Sequence, residues 1–467
     1  MPAIIKKAAT SLILIVVVAL AIRVGFLLDY KSHNSDRAVS VIPFLFESGN
    51  IAHSVSAGKG FSSPFRVDTG PTAWMTPVYP LILAAIFKLF GVYTVKAWYA
   101  SVAFNILCVV LACIPIYFAG RRIGGEQHGV ALGAVAAWIW GVFPNAILMP
   151  VESMWEASLA ALLGATLLWA TLALDENRSA LAWSAYGLLW GATLMTNATL
   201  GALLPFMLAW LWWRARKQNR NVIPRAALTL IIAALCCVPW TIRNYRAFHA
   251  FVPLRSVLGL QLWLGNNEQT EDIFRGNLHP IYNETERRHY IDVGEITYMR
   301  EKQSLAVNYM ITHPARELHL SWLRFIAIWA GGALHPIDDF IGTPDPWFRF
   351  VLTCNILVAL GTLAGAVILF IRRNAYAVPC AAFPAIFPWA YYLTLALPRY
   401  RLPIDPILML LTAVAILAGI EKLRSRVSAA PAEQQPPPRK LTRKAKRRAR
   451  RDHPIAAQTQ PFNPASV

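Results

Sequence analysis

Glu47 is the residue of this sequence whose surroundings best suit acid–base chemistry. If residues 43–55 are helical, Phe44, Glu47, Ile51 and Val55 recur at three- and four-residue spacing and share one face. A carboxylate among apolar neighbours is a better proton acceptor at neutral pH than one in water. The alternative is a surface helix on which Glu47 binds a backbone amide. Spacing alone leaves both interpretations open.

A second pair of carboxylates, Glu152 and Glu156, is one helical turn apart at the predicted outer end of a span. Ionisable groups at a membrane boundary are costly, and they are usually functional or paired. The alternative is helix capping, because a glutamate in the first turn of a helix favours the helix dipole. Glu156 is therefore a candidate for chemistry, and Glu152 a weaker one.

A phosphate-bearing substrate would need cations close to these carboxylates. Arg399 and Arg401 lie in a proline-bounded hairpin, Arg243 and Arg246 follow a predicted span, and Lys59 lies in a polar loop. Arginine binds phosphate through two parallel hydrogen bonds and keeps its charge. For any single one of them the alternative is a snorkelling residue at the membrane interface.

Other kinds of site are not indicated. The sequence contains no Walker loop, dinucleotide fingerprint or zinc motif. His279, His313, His319 and His335 lack ligand spacing, and a lone histidine is more often structural. All six cysteines lie in apolar runs, where they are expected to act as small hydrophobes. No cofactor is predicted firmly, although a divalent cation is left open.

The elements that position these residues are membrane helices. The chain of 467 residues is 56% apolar and 15% charged, whereas soluble domains carry about 25% charge. Its fold class is therefore an all-α polytopic membrane protein. Arg23 lies within the first span and is expected to pair with an outer-loop carboxylate. About ten spans fit the basic loops, which should face the cytoplasm with both termini, near residues 11–28, 97–118, 130–149, 156–174, 180–197, 198–213, 226–242, 348–371, 376–396 and 404–420.

Residues 1–426 are thus expected to form one membrane domain with two long extracytoplasmic segments, 29–96 and 243–347. Within these segments, residues 78–92 and 318–334 are predicted to be amphipathic helices lying at the outer interface. Much of the net charge of +19 lies after Glu421, and residues 427–467 contain few large apolar residues. They are expected to form a disordered cytoplasmic tail that contacts anionic lipids, and no nucleic acid is expected as a partner.

Several short motifs, in their order and spacing, resemble a known family. The chain is similar to the bacterial C-type (GT-C) glycosyltransferases, in particular to the branch of protein O-mannosyltransferases and lipid A aminoarabinose transferases (glycosyltransferase family 39-like). The similar stretches are residues 47–52, 58–64, 69–74, 77–80, 155–156, 239–245, 265–267 and 398–403.

The resemblance implies a multi-pass enzyme of the bacterial cytoplasmic membrane, a hexosyl- or pentosyltransferase. It would move a sugar from a polyprenyl-phosphate carrier to a glycan, lipid or protein acceptor on the periplasmic or outer face, with inversion. The family's first-loop acidic residue, usually aspartate, acts as base and maps to Glu47, with Asp36 as the nearby rival. Tyr79, in the family's Tyr-Pro element, and Lys59 are expected to bind substrate. The family's Pro-Pro pair is Thr76-Pro77 here.

In this interpretation Arg399, Arg401 and Arg243 or Arg246 hold the departing lipid phosphate, and Glu156 orients the acceptor or supports a divalent ion. Two other classes stay open. A transporter or lipid flippase would require intramembrane charges and paired repeats, and the sequence shows no internal repeat. A non-catalytic scaffold would instead recruit a cytoplasmic partner through its basic tail.

Overall fold

A computed structural model of the chain describes residues 9–429 except Ser153, Arg178 and residues 272–275, with only the backbone for residues 427–429. The predicted basic tail, residues 427–467, therefore lies almost wholly outside the described residues. The chain divides into two compact units, Met1–Ala418 and Gly419–Val467. In the second unit the described part, up to Ala429, is helical. Everything below concerns the first unit.

The described residues form helices and no named strand, with one isolated β-bridge between Ser62 and Pro71. The helices of the first half are α1 (Leu12–His33), α2 (Asp36–Ser40), α3 (Glu47–Ser56), α4 (Val78–Phe90), α5 (Val95–Leu111), α6 (Cys113–Val142), α7 (Pro144–Glu152), α8 (Ala157–Leu174), α9 (Ala180–Leu194), α10 (Leu204–Lys217) and α11 (Ile223–Phe248). Those of the second half are α12 (Leu258–Gly265), α13 (Glu284–Val293), α14 (Glu295–Thr312), α15 (Pro314–Trp329), α16 (Pro336–Gly342), α17 (Pro346–Ile371), α18 (Ala377–Ile386), α19 (Trp389–Leu393) and α20 (Asp405–Ala429). Short 3₁₀ turns cover Ile42–Phe44, Ala198–Leu203, Gly276–Leu278 and Pro398–Tyr400.

Six helical stretches of the described chain are long and apolar enough to cross a membrane. They are Leu12–His33, Val95–Val142, Ala157–Leu174, Ile223–Phe248, Pro346–Ile371 and Asp405–Arg426. The polytopic, all-helical class predicted from composition is thus confirmed. The count of ten spans stays a prediction, because α9 and α10 are shorter and residues 376–396 form two short helices.

The longest stretch, Val95–Val142, reverses inside α6. Gly125 has φ 62° and ψ −160°, values that lie outside the helical region. Glycine adopts them without a steric penalty because it has no Cβ atom. The two legs on either side then pack closely, since a Cβ on Gly120 would lie 2.5 Å from the Cα atom of Gly133. The legs correspond to the predicted spans 97–118 and 130–149, and the reversal follows Arg121 and Arg122.

Arg23 is fully buried in α1 and bonds to backbone carbonyls instead of the expected outer-loop carboxylate. Its guanidinium donates to the carbonyl oxygens of Ala19 (2.9 Å), Gly141 (2.8 Å) and Ala146 (3.0 Å). The carbonyl of Gly141 lies in the last turn of α6, where carbonyls lack a helical partner, and that of Ala146 has Pro150, which carries no N–H, four residues after it. The arginine thereby joins α1 to the junction of α6 and α7.

The two polar segments of the sequence, between α1 and α5 and between α11 and α17, contact each other. The N–H of Ser256 donates to the carbonyl of Ala73 at 2.8 Å, which joins one segment to the other. A cluster of buried side chains that includes Ile51, Phe61, Trp74 and Tyr290 packs beneath this contact. The predicted helices near residues 78–92 and 318–334 are α4 and α15, and their place at a membrane surface stays a prediction.

Close packing between α17 and α20 can be tested by replacing Gly365 with alanine. The added Cβ would lie 1.9 Å from the carbonyl oxygen of Leu411, so the helices must separate. Overpacking of this kind destabilises by about 1–3 kcal/mol. We expect Gly365→Ala to lower the thermal unfolding midpoint of the detergent-purified protein. The matched control is Gly25→Ala in α1, where a Cβ meets no atom within 4 Å and the midpoint should not fall.

Candidate active site

Two adjoining cavities lie where the polar segments meet. One has a volume of about 50 Å³ and the other about 330 Å³. Because they share six wall residues, we treat them together as the central cleft. The shared residues are Trp74, Trp155, Val257, Gln261, Arg399 and Tyr400.

Glu47 begins helix α3 and lines the larger cavity. The residue is only 4% exposed. The chain before it can fold back closely because residue 49 is glycine, where a Cβ would lie 2.1 Å from the carbonyl oxygen of Phe44. The hydroxyl of Ser48 donates to the carbonyl of Met154 at 2.6 Å, which fixes the start of α3 beside the Trp155-Glu156 segment.

His279, from the second polar segment, is the partner of this carboxylate. Its Nε2 lies 3.1 Å from Oε1 of Glu47. The backbone N–H of Ile281 donates to Nδ1 of the same ring at 3.1 Å, so Nδ1 acts as an acceptor and carries no proton. In the neutral ring the proton is therefore on Nε2, the nitrogen that lies 3.1 Å from the Glu47 carboxylate. Each polar segment contributes one member of this pair.

Glu156 lies in the smaller cavity, one residue before α8. Among the described residues its Oε2 is buried without a hydrogen-bond partner. Burial raises the pKa of Glu156, and the guanidinium groups of Arg255 and Arg399 act in the opposite direction. A buried carboxylate oxygen with unused acceptor capacity favours a ligand that donates a hydrogen bond.

Two guanidinium groups line the smaller cavity. The carbon centre of the Arg399 guanidinium lies 4.5 Å from the ring centroid of Trp155 and 5.1 Å from that of Tyr400. Arg255 donates to the hydroxyl of Thr199 at 3.4 Å. Within the described part of the chain neither guanidinium has a carboxylate at ion-pair distance. Both therefore keep a charge that an anionic ligand could neutralise.

The phenol of Tyr400 lines both cavities, and its pKa is influenced by charged groups in each of them. Burial raises the pKa of Tyr400, the positive charges of Arg399 and Arg255 lower it, and the negative charges of Glu156 and Glu47 raise it. All four charged groups are thus close enough to influence one phenol. The cleft brings two carboxylates and two cations around one centre.

The buried carboxylate of Glu295 holds the walls of the cleft together. It accepts hydrogen bonds from the Thr72 hydroxyl (2.5 Å), the Ala73 N–H (2.7 Å), the Ser256 hydroxyl (2.6 Å) and the Tyr290 hydroxyl (2.6 Å). Burial raises the pKa of Tyr290 well above its ordinary value, so the phenol keeps the proton that it donates. These bonds fix the residues that precede Trp74 and follow Arg255, both of which line the cleft.

Arg401 and Arg243, predicted to hold phosphate, are bound within the protein instead. Arg401 is 2% exposed; its Nε donates to Asp405 at 2.7 Å, and its other nitrogens donate to the carbonyls of Ile328 and Trp329 and to the side chain of Asn355. Arg243 donates to the carbonyl of Thr72 at 2.6 Å and to that of Phe61. These hydrogen bonds stabilise the fold, and neither side chain lines the cleft.

Four other candidates lie elsewhere among the described residues. Asp36 is exposed and pairs with Lys31 at 2.8 Å. Lys59 is exposed, 3.7 Å from Asp68, on a separate cavity. The buried hydroxyl of Tyr79 donates to Asn105 at 3.1 Å. Arg246 is exposed on α11. None of the four lines the central cleft, so none is carried forward as a ligand-binding residue.

Two cleft residues were not predicted from the sequence. His279 was interpreted as structural because it lacks ligand spacing, and Arg255 was not singled out. Neither has a local signal, since the groups that each one contacts lie in other segments of the chain. The described residues contain no group of three or more His, Cys, Asp or Glu side chains that could hold a metal ion, so no ligand set is named for a divalent cation.

The overall architecture is similar to that of a solved archaeal membrane enzyme. No family model matches the sequence. No curated protein matches it either. Among solved structures, the apo oligosaccharyltransferase of Archaeoglobus fulgidus superposes with a TM-score of 0.51 at 10% identity, over 89% of this chain and 51% of the archaeal chain. The archaeal enzyme AglB, solved with an inhibitory peptide and a dolichol-phosphate, gives 0.52 at 14% identity, over 89% and 51%.

These values show a shared fold, and the chain spans about half the length of the archaeal enzymes that it matches. The likeness agrees with the multi-pass helical fold expected from the sequence motifs, and membership of the C-type glycosyltransferases stays a prediction. The narrower resemblance to the O-mannosyltransferase and aminoarabinose transferase branch stays a prediction.

The contrast between Arg399 and Arg401 can be tested by stability. Arg401→Met would leave the buried Asp405 without its cation, a change that typically costs about 3–5 kcal/mol. We expect poor yield and an early unfolding transition in a thermal-shift assay. Arg399→Met, two residues away, removes no carboxylate partner and should stay within about 0.5 kcal/mol of the parent protein. Equal destabilisation by both variants would contradict this assignment.

Proposed function

We propose that the chain is a membrane glycosyltransferase that moves a sugar from a polyprenyl-phosphate-linked donor to an acceptor. The observation that carries this proposal is the pairing within one cleft of a buried carboxylate, Glu47, with two guanidinium groups, Arg255 and Arg399, that lack carboxylate partners among the described residues. A base and an anion-binding pair in one cleft are what glycosyl transfer from a lipid phosphate requires.

The proposed reaction is a single in-line displacement at the anomeric carbon. An acceptor hydroxyl gives its proton to Glu47 while its oxygen forms the new bond to that carbon. The bond between the anomeric carbon and the phosphate oxygen breaks, and its electron pair leaves with the polyprenyl phosphate. Because attack and departure take place on opposite faces, the configuration is inverted.

Arg399 and Arg255 bind the phosphate as it gains negative charge. Cations fixed where charge develops are usually the largest single contribution to catalysis. Arg255 takes the place that the sequence motifs assigned to Arg401. The unpartnered oxygen of Glu156 accepts a hydrogen bond from a hydroxyl of the transferred sugar or of the acceptor.

The archaeal comparison supports the donor class, because one of the matched enzymes was solved with a dolichol-phosphate and an inhibitory peptide. The acceptor of the present chain, whether glycan, lipid or protein, and the hexosyl or pentosyl nature of its sugar are open within this proposal. We further propose a bacterial cytoplasmic membrane, with the cleft on the periplasmic or outer face, both termini inside, and the basic tail at anionic lipids.

The proposal is tested by complementing a strain that lacks the gene with Glu47→Gln. Without the base, transfer should fall by about 10²–10⁴-fold. Mass spectrometry of lipid extracts should then show an accumulated polyprenyl-phosphate sugar, and the glycan inventory of the envelope should lack one product. Normal complementation by Glu47→Gln would contradict the proposed base.

The matched control is Asp36→Asn, which removes an exposed carboxylate of the same polar segment outside the cleft and should complement fully.

A transporter or flippase is distinguished from an enzyme by making the membrane vesicles permeable. If the chain only moved lipid across the membrane, vesicles permeable from both sides would transfer sugar equally well with Glu47→Gln and with the parent protein.

A further inference from the structure

We propose that His279 is a positioning residue that holds Glu47 in its proton-accepting state and orientation. This inference rests on the proposed function, because it concerns the base of that reaction. The supporting geometry is the Nε2–Oε1 distance of 3.1 Å between two side chains that both line the larger cavity. No other hydrogen bond to the Glu47 carboxylate is formed by the described residues, so Oε2 is left for the acceptor.

The tautomer of His279 determines what it can do. With the Ile281 N–H donating to Nδ1, the ring has one N–H to give, and it gives this to Glu47. The ring cannot accept a second proton on Nδ1 without losing the bond from Ile281. In this tautomer His279 presents its one N–H to the carboxylate and leaves the acceptor's proton to Glu47 alone.

The orientation of the ring is fixed by aromatic neighbours. Phe65 and Trp74 meet it edge to face, with centroid distances of 6.2 and 5.4 Å. Both also contact Tyr290, whose hydroxyl is bonded to Glu295. The direction of the Nε2–H bond is thus set by side chains that pack against the hydrogen bonds around Glu295, which also join the two polar segments. The acceptor meets a carboxylate whose free oxygen points in one direction.

The other titratable groups facing this pair in the cavity are Tyr282, Arg399 and Tyr400. In the proposed step the acceptor proton moves to Oε2 of Glu47, the negative charge moves to the phosphate near Arg399, and His279 neither gains nor loses a proton. A histidine that instead relayed the proton would become doubly protonated and would break its bond from Ile281.

Substitutions at His279 separate this role from simple packing. Glutamine carries its amide N–H at about the depth of Nε2, whereas asparagine carries it at the depth of Nδ1. We expect His279→Gln to retain most of the transfer, and His279→Asn and His279→Ala to lose about 10- to 100-fold, which corresponds to one hydrogen bond to a charged group. His53→Ala, an exposed histidine on the same helix as Glu47, should have no effect.

The pH–rate profile gives a second measurement. Loss of a hydrogen bond to the carboxylate disfavours its charged form, so the acidic limb for His279→Ala should move to higher pH. His279→Gln should keep the limb where the parent protein has it. An unchanged limb in His279→Ala, together with normal transfer, would overturn the proposal.

Nitrogen-15 NMR of the protein in lipid nanodiscs tests the tautomer without any activity. The resonances of His279 are identified by their loss in His279→Gln. We expect the neutral Nε2–H form around neutral pH, and an Nδ1–H or doubly protonated ring would refute the inference. Failure of the proposed function is recognised separately, because Glu47→Gln would then transfer normally. If Glu47→Gln is inactive while His279→Ala is fully active, only the proposed role of the histidine is contradicted.

Discussion

Leaving an ionised group without a partner inside a helical membrane protein costs several kcal/mol, and this constraint organises the structure described above. Arg23, Arg401 and Glu295 are almost fully buried, and each one is surrounded by hydrogen-bond partners from distant segments. Arg23 joins α1 to the α6–α7 junction, and Arg401 joins the start of α20 to α15 and α17. The buried charges are thus the points at which separate helices are fixed to one another.

The same reasoning identifies the cleft, because it is where the constraint is not met within the described residues. Arg399 and Arg255 have no carboxylate partner there, and one oxygen of Glu156 has no donor. Groups left unpaired in this way are typical of sites where a ligand completes them. The hydrogen bonds to Glu295 allow this arrangement, because they hold both polar segments in place. The unpaired side chains in the cleft therefore do not pair with one another.

Hydropathy was sufficient to predict the helices, since most of the ten expected spans coincide with helices of the structure. It could not give Gly125 as the point of reversal in α6, which depends on a backbone conformation. Of the residues that line the cleft, sequence patterns pointed to Glu47, Glu156 and Arg399, because each lies at the start of a helix or in a short turn near a recognisable motif. They did not distinguish Arg399 from Arg401, two residues away. Only the packing of α15 and α17 determines which guanidinium forms its hydrogen bonds within the protein.

His279 and Arg255 illustrate the complementary failure. A histidine has no helical or motif signal when its partner is brought to it by tertiary structure, so nothing near His279 in the sequence points to Glu47. Asp36 had the opposite problem, since its position in the first loop suggested chemistry while its side chain lies in solvent with Lys31. The sequence places such residues in the correct segment, but only the contact between the two segments shows which side chains face each other.

The way in which Arg399 is held bears directly on what the cleft can do. A carboxylate partner would fix the guanidinium but would also cancel the charge that a phosphate needs. The aromatic faces of Trp155 and Tyr400 fix its position through cation–π contacts and leave its N–H groups free to bind an anion. In the same cleft, Glu47 is oriented in our proposal by the one N–H of His279 instead of by a lysine or arginine. Both halves of the proposed reaction therefore depend on neutral partners that orient an ion without neutralising it.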